Sequence, residues 1–288
     1  MKNNKKILYI FISIILLFTE NSLAKKKEMI WLKAEFPPYI ILSGTFKGMG
    51  NTDYIQNLVE NSLSDYKHIS VVANAKRVFY ELKRKDKITF AAALKTKERE
   101  KNVIYSIPYF LALPNSILIK KSKLKLFKPY INKGVFLLEK ALGKSDFKLG
   151  VAVDRAYGGP VDNILLKYKG NKNIEVYYEN ISRTHITELL KNNLDYIIGY
   201  SCELTYFLKM NKKNEDIISV PIKDMYNYLL FHFVFPKTKW GEGFVKKVNA
   251  ILKKHRDTEM FHKSYEYWLD NNSKKLYRKY VKEFYKKK

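Results

Sequence analysis

Residues 148–168 read KLGVAVDRAYGGPVDNILLKY. Lys148 to Val153 is a short, nearly continuous apolar run, the pattern of a strand buried on both faces. Asp154 to Gly159 is a polar turn with two glycines. Pro160 then suits the first turn of a helix, and Val161, Ile164, Leu165 and Tyr168 recur at helical spacing. Further on, Glu175–Tyr178 reads as a strand, Thr184–Lys191 as a helix, and Leu194–Gly199 (LDYIIG) as a strand. The unit is therefore β-α-β-α-β.

The same unit occurs upstream. Met29–Ala34 (MIWLKA) is an apolar strand. Asp53–Leu63 places Tyr54, Ile55, Leu58, Val59 and Leu63 at helical spacing, with Thr52 as the predicted cap. Ile69–Ala73 is a strand, Ala75–Arg84 a helix capped by Asn74, and Ile88–Ala93 (ITFAAA) a buried strand. Two such units predict an α/β protein of two lobes, each built on a parallel sheet.

Ser116–Lys120 (SILIK) precedes the second unit and Ile217–Pro221 (IISVP) follows it. The strand Leu229–Phe235 and the helices Gly241–Lys254 and Glu259–Leu269 have no unit of their own, so they are assigned to the first lobe. The expected division is lobe 1 from 25–113 and 222–270, an inserted lobe 2 from 114–221, and a basic C-terminal helix from 271–288. Two chain crossings between lobes make a hinge, and the cleft between hinged lobes is a natural ligand site. In the terminal helix Leu276, Tyr280 and Phe284 form a stripe. It either packs on its own lobe or lies on an anionic membrane surface.

The first 24 residues stand apart. Lys2, Lys5 and Lys6 precede the apolar run Ile7–Phe18, and Ser22-Leu23-Ala24 offers small residues for cleavage. That layout predicts a signal peptide and a periplasmic protein. The alternative is an uncleaved anchor of the same segment. Cys202 is the single cysteine, so no internal disulfide forms. The net charge of +26, from 54 basic and 28 acidic residues, favours anionic partners. The lysines are nonetheless dispersed, which is no groove-shaped footprint, and export argues against nucleic acid.

Motifs for catalysis are absent from the sequence: there is no Gly-x-Ser-x-Gly, no His-Glu-x-x-His and no P-loop. The five histidines lack metal-ligand spacing, and Cys202 has no histidine close in sequence. No catalytic residue, metal or cofactor is therefore assigned. Binding has more support. In open α/β sheets ligands sit beyond the carboxyl ends of strands. Four loops occupy such places: Ala34–Tyr39, Leu94–Arg99, Asp154–Gly159 and Tyr200–Glu203. Two carry an arginine, whose planar fork matches a carboxylate. Aromatic side chains in these loops offer flat walls for the rest of a small ligand.

The stretch LKTKEREKNVIYSIPY (94–109) resembles the T-x-x-R … F-S-x-P-Y signature of the bacterial family-3 extracellular solute-binding proteins, type II periplasmic binding proteins for polar amino acids. AEFPPY (34–39), FKGMGNTD (46–53) and NLDY (193–196) resemble further family segments, in the right order. The resemblance spans nearly the whole chain after the leader and implies the two-lobe type II fold. It implies that Arg99 grips a carboxylate, that Phe36, with Tyr39 beside it, covers the ligand, and that Asp154, Arg155 and Ala156 stand where the second lobe supplies donors. Tyr200 occupies the family's ammonium-binding aspartate position, with Glu203 three residues on. Ala91, Ala92 and Ala93 replace frequent hydroxyls, so Ala93 and Leu94 join the candidate contacts. A carboxylate clamp without an ammonium acceptor favours a more anionic solute than a standard amino acid.

Each residue also has a purely structural alternative. Arg99 pairs with Glu98 or Glu100 at a corner, Phe36 packs in a core, or Arg155 forms an ion pair within its lobe. The expected function is a monomeric binding protein that closes over a small anionic or zwitterionic solute, for an inner-membrane permease or a receptor. The alternative is a dehydratase-like enzyme of the same fold, with Glu35, Asp154 or Glu203 as acid or base.

Overall fold

The computed structural model describes residues 26–152, 155, 157–177, 181–212 and 217–286. The proposed leader and Asp154 lie outside this set.

Two sheets organise the chain. The first contains β1 (Lys27–Lys33), β2 (Tyr66–Val72), β3 (Ile88–Leu94), β4 (Val103–Tyr105), β5 (Phe110–Ala112) and β13 (Leu229–Pro236). Its order is β2-β1-β3-β13-β4, with β5 also on β13. The second contains β6 (Ser116–Lys120), β9 (Leu149–Ala152), β10 (Ile174–Tyr177), β11 (Tyr196–Gly199) and β12 (Ile217–Pro221), in the order β10-β9-β11-β6-β12. A small hairpin, β7 (Ile131–Asn132) with β8 (Val135–Phe136), adjoins the second.

Both sheets are mixed, which corrects the expectation of parallel sheets. Within each β-α-β-α-β unit the strands run parallel. The strands next to the crossings do not: β13 is antiparallel to β3, and β6 is antiparallel to β11 and β12. The unit pattern reports only neighbours joined by a helix, and a strand entering from elsewhere takes either direction.

Local sequence explains the helices. In α2 (Ala75–Arg84) the Asn74 side chain accepts the Arg77 amide at 2.9 Å, while Val78 and Leu82 are buried. Lys83 and Arg84 sit in its last turn, where the helix dipole favours cations. In α1 (Asn51–Asn61) the capping residue is Gly50, not Thr52. Thr52 lies in the first turn and its hydroxyl meets Tyr109 Oη at 3.3 Å. Asp53 organises the entry instead, accepting the amides of Ile41 at 2.8 Å and Gly50 at 3.2 Å.

Gly50 is there for closeness, since its φ of −62° suits any residue. A Cβ added to it would lie 2.2 Å from the Tyr39 carbonyl oxygen. Gly50→Ala must push α1 away from the Phe36–Tyr39 turn, and an overpacked core costs about 2–3 kcal/mol. Urea unfolding should show that loss, whereas Gly243→Ala, with nothing within 4 Å of its new Cβ, should not.

Two helices follow β13: α9 (Lys239–His255) and α10 (Glu259–Glu266). The terminal α11 (Asn271–Lys286) buries Tyr277 and Val281 in the core of the first sheet, alongside Trp31, Phe233, Tyr265 and Trp268. Its apolar stripe is therefore occupied by its own lobe. The second sheet has a separate core around Phe127, Phe136, Leu149, Val161 and Tyr196. Among the described residues no helix is long and apolar enough to cross a membrane.

Candidate functional site

The loops singled out in the sequence leave the carboxyl ends of β1, β3, β9 and β11. The first is a tight turn in which Phe36 and Ile40 exchange backbone hydrogen bonds at 3.0 and 2.9 Å. It holds Phe36 and Tyr39 together, ring centroids 4.9 Å apart. Tyr39 is fully buried and stacks on Phe231 at 5.1 Å. Tyr200 meets both rings edge-on, Phe36 at 6.3 Å and Tyr39 at 5.9 Å. Cys202 donates its thiol to Tyr39 Oη at 3.4 Å. A residue pair that follows a strand of the second sheet is thus packed against a turn that follows a strand of the first.

Behind Tyr200 lies a buried ion pair. Arg155 donates Nη1 to Glu203 Oε1 and Nη2 to Glu203 Oε2, each at 3.2 Å, and a further Nη2 bond reaches Asn115 Oδ1 at 3.2 Å. The side chains are 8% and 2% exposed. The guanidinium lies between two rings, 5.0 Å from the Tyr200 centroid and 5.2 Å from that of Tyr157. Burial by itself would lower the Arg155 pKa, but the adjoining Glu203 carboxylate more than offsets it and holds the pKa above the ordinary value. Glu203 sits in the first turn of α8 (Ser201–Met210) and also accepts the Tyr200 amide at 3.1 Å. Burial raises the Tyr200 phenol to about 12 and the Cys202 thiol to about 12, so both stay protonated at neutral pH. Cys202 is an inert core thiol here.

Arg99 occupies a different environment. It belongs to the single-turn α3 (Lys97–Glu100), whose cap Thr96 accepts the Arg99 amide at 3.3 Å. Its Nη1 donates to the Leu94 carbonyl at 3.2 Å, and its guanidinium stacks 3.9 Å from the Phe79 ring centroid. Desolvation by burial lowers its pKa, opposed by the nearby Tyr105 and Glu98. The acid that pairs with Lys95 here is Glu100, at 2.7 Å.

The remaining candidates fall as follows. Leu94 contributes its carbonyl, which also accepts Tyr105 Oη at 3.5 Å. Ala93 is fully buried in a core with Phe90, Val78 and Val234, so its methyl is packing. Glu35 is exposed and accepts the Leu42 amide at 2.9 Å; partial burial raises its pKa. The structure brings Phe36, Tyr39, Tyr200, Glu203 and Arg155 into one cluster and puts Arg99 with Leu94 and Phe79. Of the two roles open to Arg155, the geometry shows the ion pair within its lobe: it spends three hydrogen bonds on Glu203 and Asn115.

Asn115 has no role in the sequence reading, and Tyr157, Phe79 and His185 enter it only as a loop residue, a helix-face residue and one of five histidines. Asn115 bridges the Arg155 guanidinium and the Tyr157 carbonyl, which it meets at 2.8 Å. A Pro-Asn pair where the chain crosses between lobes was the available signal. His185 belongs to α7 (Ile181–Leu190), is fully buried beside Tyr177 at 4.7 Å, and neither ring nitrogen has a hydrogen-bond partner among the described residues. No spacing rule marks such a residue.

His185 should impose a pH dependence. Burial, and then the nearby Arg155, push its pKa down to about 4 from an unfolded value of 6.5. Between these values the unfolded chain binds a proton that the folded chain refuses. Stability is therefore full above about pH 6.5 and falls as pH drops toward about 4. The His185 contribution between pH 7.5 and 4.5 should be about 2–3 kcal/mol, measured as the difference in urea stability between wild type and His185→Gln at the two pH values.

Comparison with known proteins fits this architecture. The sequence profile of the bacterial extracellular solute-binding proteins, family 3, matches residues 29–271, and the chain belongs to that family. No curated protein sequence matches it. Among solved structures, an ancestral cationic amino acid solute-binding protein superposes with TM-score 0.63 at 18% identity, over 85% of this chain and 97% of that one. An amino acid ABC transporter substrate-binding protein from Streptococcus pneumoniae, bound to L-arginine, gives 0.62 at 14% identity over 86% and 95%. A histidine kinase sensor domain similar to periplasmic binding proteins gives 0.60 at 13% identity over 85% and 96%. At these identities the likeness establishes the two-lobe type II fold.

Proposed function

We propose that the chain binds a small carboxylate-bearing solute between its two lobes, with Arg99 as the carboxylate contact. Lobe 1 is read as 25–113 and 222–270 and lobe 2 as 114–221; the strands of the two sheets fall on either side of these limits. The observation that carries the proposal is the state of Arg99. It stands at the carboxyl end of β3, where open α/β sheets bind ligands, and spends one hydrogen bond on the Leu94 carbonyl. A guanidinium has five donors, so a bidentate carboxylate site remains.

The Arg155–Glu203 pair narrows the solute. Each charge cancels the other, so among the described residues this cluster presents neither Glu203 as a free acid for an ammonium nor Arg155 as a free cation for a second anion. Arg155 reaches a solute only where Glu203 releases it. A monocarboxylate without a free amine matches this balance better than a polar amino acid, with half-buried Phe36 as its apolar wall and Tyr39 and Tyr200 packed behind that ring. Mass spectrometry of solute released from natively purified protein tests the reading. A carboxylate should be recovered, and a free amino acid or a neutral sugar would overturn it.

The chain is read as exported by residues 1–24 to the periplasm, where closure presents the solute to a permease or a receptor. Relatives of both kinds exist, since one solved neighbour is a transporter's binding protein and another a kinase sensor domain. Crosslinking in native membranes distinguishes them by the partner captured. A dehydratase-like activity is the second reading, favoured by Glu35, which stands in the loop after β1 with its carboxyl pKa raised by partial burial. Turnover of hydroxy acids that is lost in Glu35→Gln would establish it.

A further inference from the structure

We propose that the outer face of α11 is a docking surface for an anionic lipid bilayer. The helix has two opposed faces. Tyr277 and Val281 are buried in the lobe core, and Leu276, Tyr280 and Phe284 pack against it. Lys275, Lys279, Lys282 and Lys286 are all exposed. At 3.6 residues per turn these four lysines fall within an arc of about 60°, directly opposite the packed face. They form a straight row roughly 16 Å long.

The row is held rigidly. Arg278, at its flank, donates to Glu259 at 2.7 and 2.8 Å and to Glu266, tying α11 to α10. Its charge is thereby neutralised and it is not part of the docking row. Among the described residues no carboxylate pairs Lys275, Lys282 or Lys286, and Lys279 meets Glu283 only at 4.0 Å while 66% exposed. A pair that loose and exposed leaves most of the lysine charge available.

Four ammonium groups on flexible stems, projecting from one side of a fixed helix, suit a planar array of phosphates. The net charge of +26 adds long-range attraction to any anionic surface. Membership of an extracellular solute-binding family makes a membrane's outer face an available partner. Because the apolar face is already packed, the helix docks by charge alone and does not insert, so binding must be reversible by salt. Each lysine near an anionic leaflet is worth about fivefold in partition.

The test is vesicle co-sedimentation of the full chain, with every variant carrying the same N-terminus, so that its apolar segment contributes equally. Vesicles of phosphatidylglycerol with phosphatidylcholine are compared with phosphatidylcholine alone, at low and high salt. Neutralising Lys275, Lys279, Lys282 and Lys286 to Gln should weaken anionic-vesicle binding at least tenfold. Neutralising four other exposed lysines, Lys83, Lys128, Lys169 and Lys172, should change it less than twofold. A Lys→Arg quartet on α11 should retain binding, which separates lost charge from lost folding. Equal losses in the two Gln quartets, loss in the Arg quartet, or no preference for anionic vesicles would overturn the proposal. So would binding of a soluble polyanion such as heparin through this row without binding of vesicles.

Discussion

Replacing Glu203 with Gln should destabilise the protein by about 3–5 kcal/mol, the largest stability effect expected of any polar substitution in this chain. The carboxylate faces a guanidinium that is almost wholly removed from water, with side-chain exposures of 2% and 8%. Gln keeps the shape and one hydrogen-bond acceptor but leaves the Arg155 charge uncompensated between two tyrosine rings. Arg155→Met should cost less, because Glu203 keeps the Tyr200 amide and the positive end of α8. The double replacement Arg155→Met/Glu203→Gln removes both charges, and with them both desolvation penalties, and should recover much of the loss. The cycle, read by urea unfolding at pH 7, should therefore give a coupling of about 2–4 kcal/mol. Additive single effects below about 1 kcal/mol each would show that water reaches the pair.

This pair also marks where the sequence stopped being readable. The two-lobe fold was legible because each strand, helix and cap is a local event. Asn74 announces α2, Pro160 announces α6 (Gly159–Lys167), and ITFAAA announces a strand with both faces covered. Strand direction beside the crossings was not legible, since nothing in LLFHFVF encodes which way its neighbour runs. Thr52 has the side chain of a cap, yet Gly50 holds that place with Asp53 three residues on; the close approach of Gly50 to the Tyr39 carbonyl is a tertiary fact that no local pattern carries.

At the site, the sequence supplied residue types and strand-end positions but not who neutralises whom. Arg155 and Glu203 lie 48 positions apart; an ion pair within the lobe is one of the two roles the sequence leaves open for Arg155, but nothing in it names Glu203 as the partner. Their mutual bond depends on how two loops of the second lobe meet, with Asn115 from the crossing completing it. Arg99 shows the reverse. Its charged neighbours, Glu98 and Glu100, suggested a surface corner. Instead, Thr96 caps the turn, Glu100 is drawn to Lys95, and the guanidinium turns inward over Phe79.

That inward turn makes Arg99 the most informative position for binding. Arg99→Ala should weaken binding of the released solute by about 100-fold or more, the usual loss when a charge-assisted, bidentate contact is deleted. Arg99→Lys should lose at least about tenfold, because an ammonium keeps the charge but not the planar fork. Stacking on Phe79 also gives the side chain a structural share, so Arg99→Ala should lower the unliganded stability by about 1 kcal/mol. The two effects separate in one experiment: thermal unfolding with and without solute. Binding predicts that the solute-induced rise in midpoint vanishes in Arg99→Ala and is only partly kept in Arg99→Lys. A purely structural Arg99 predicts a lower starting midpoint with the full solute-induced rise preserved, and that result would remove the carboxylate clamp from the proposed site.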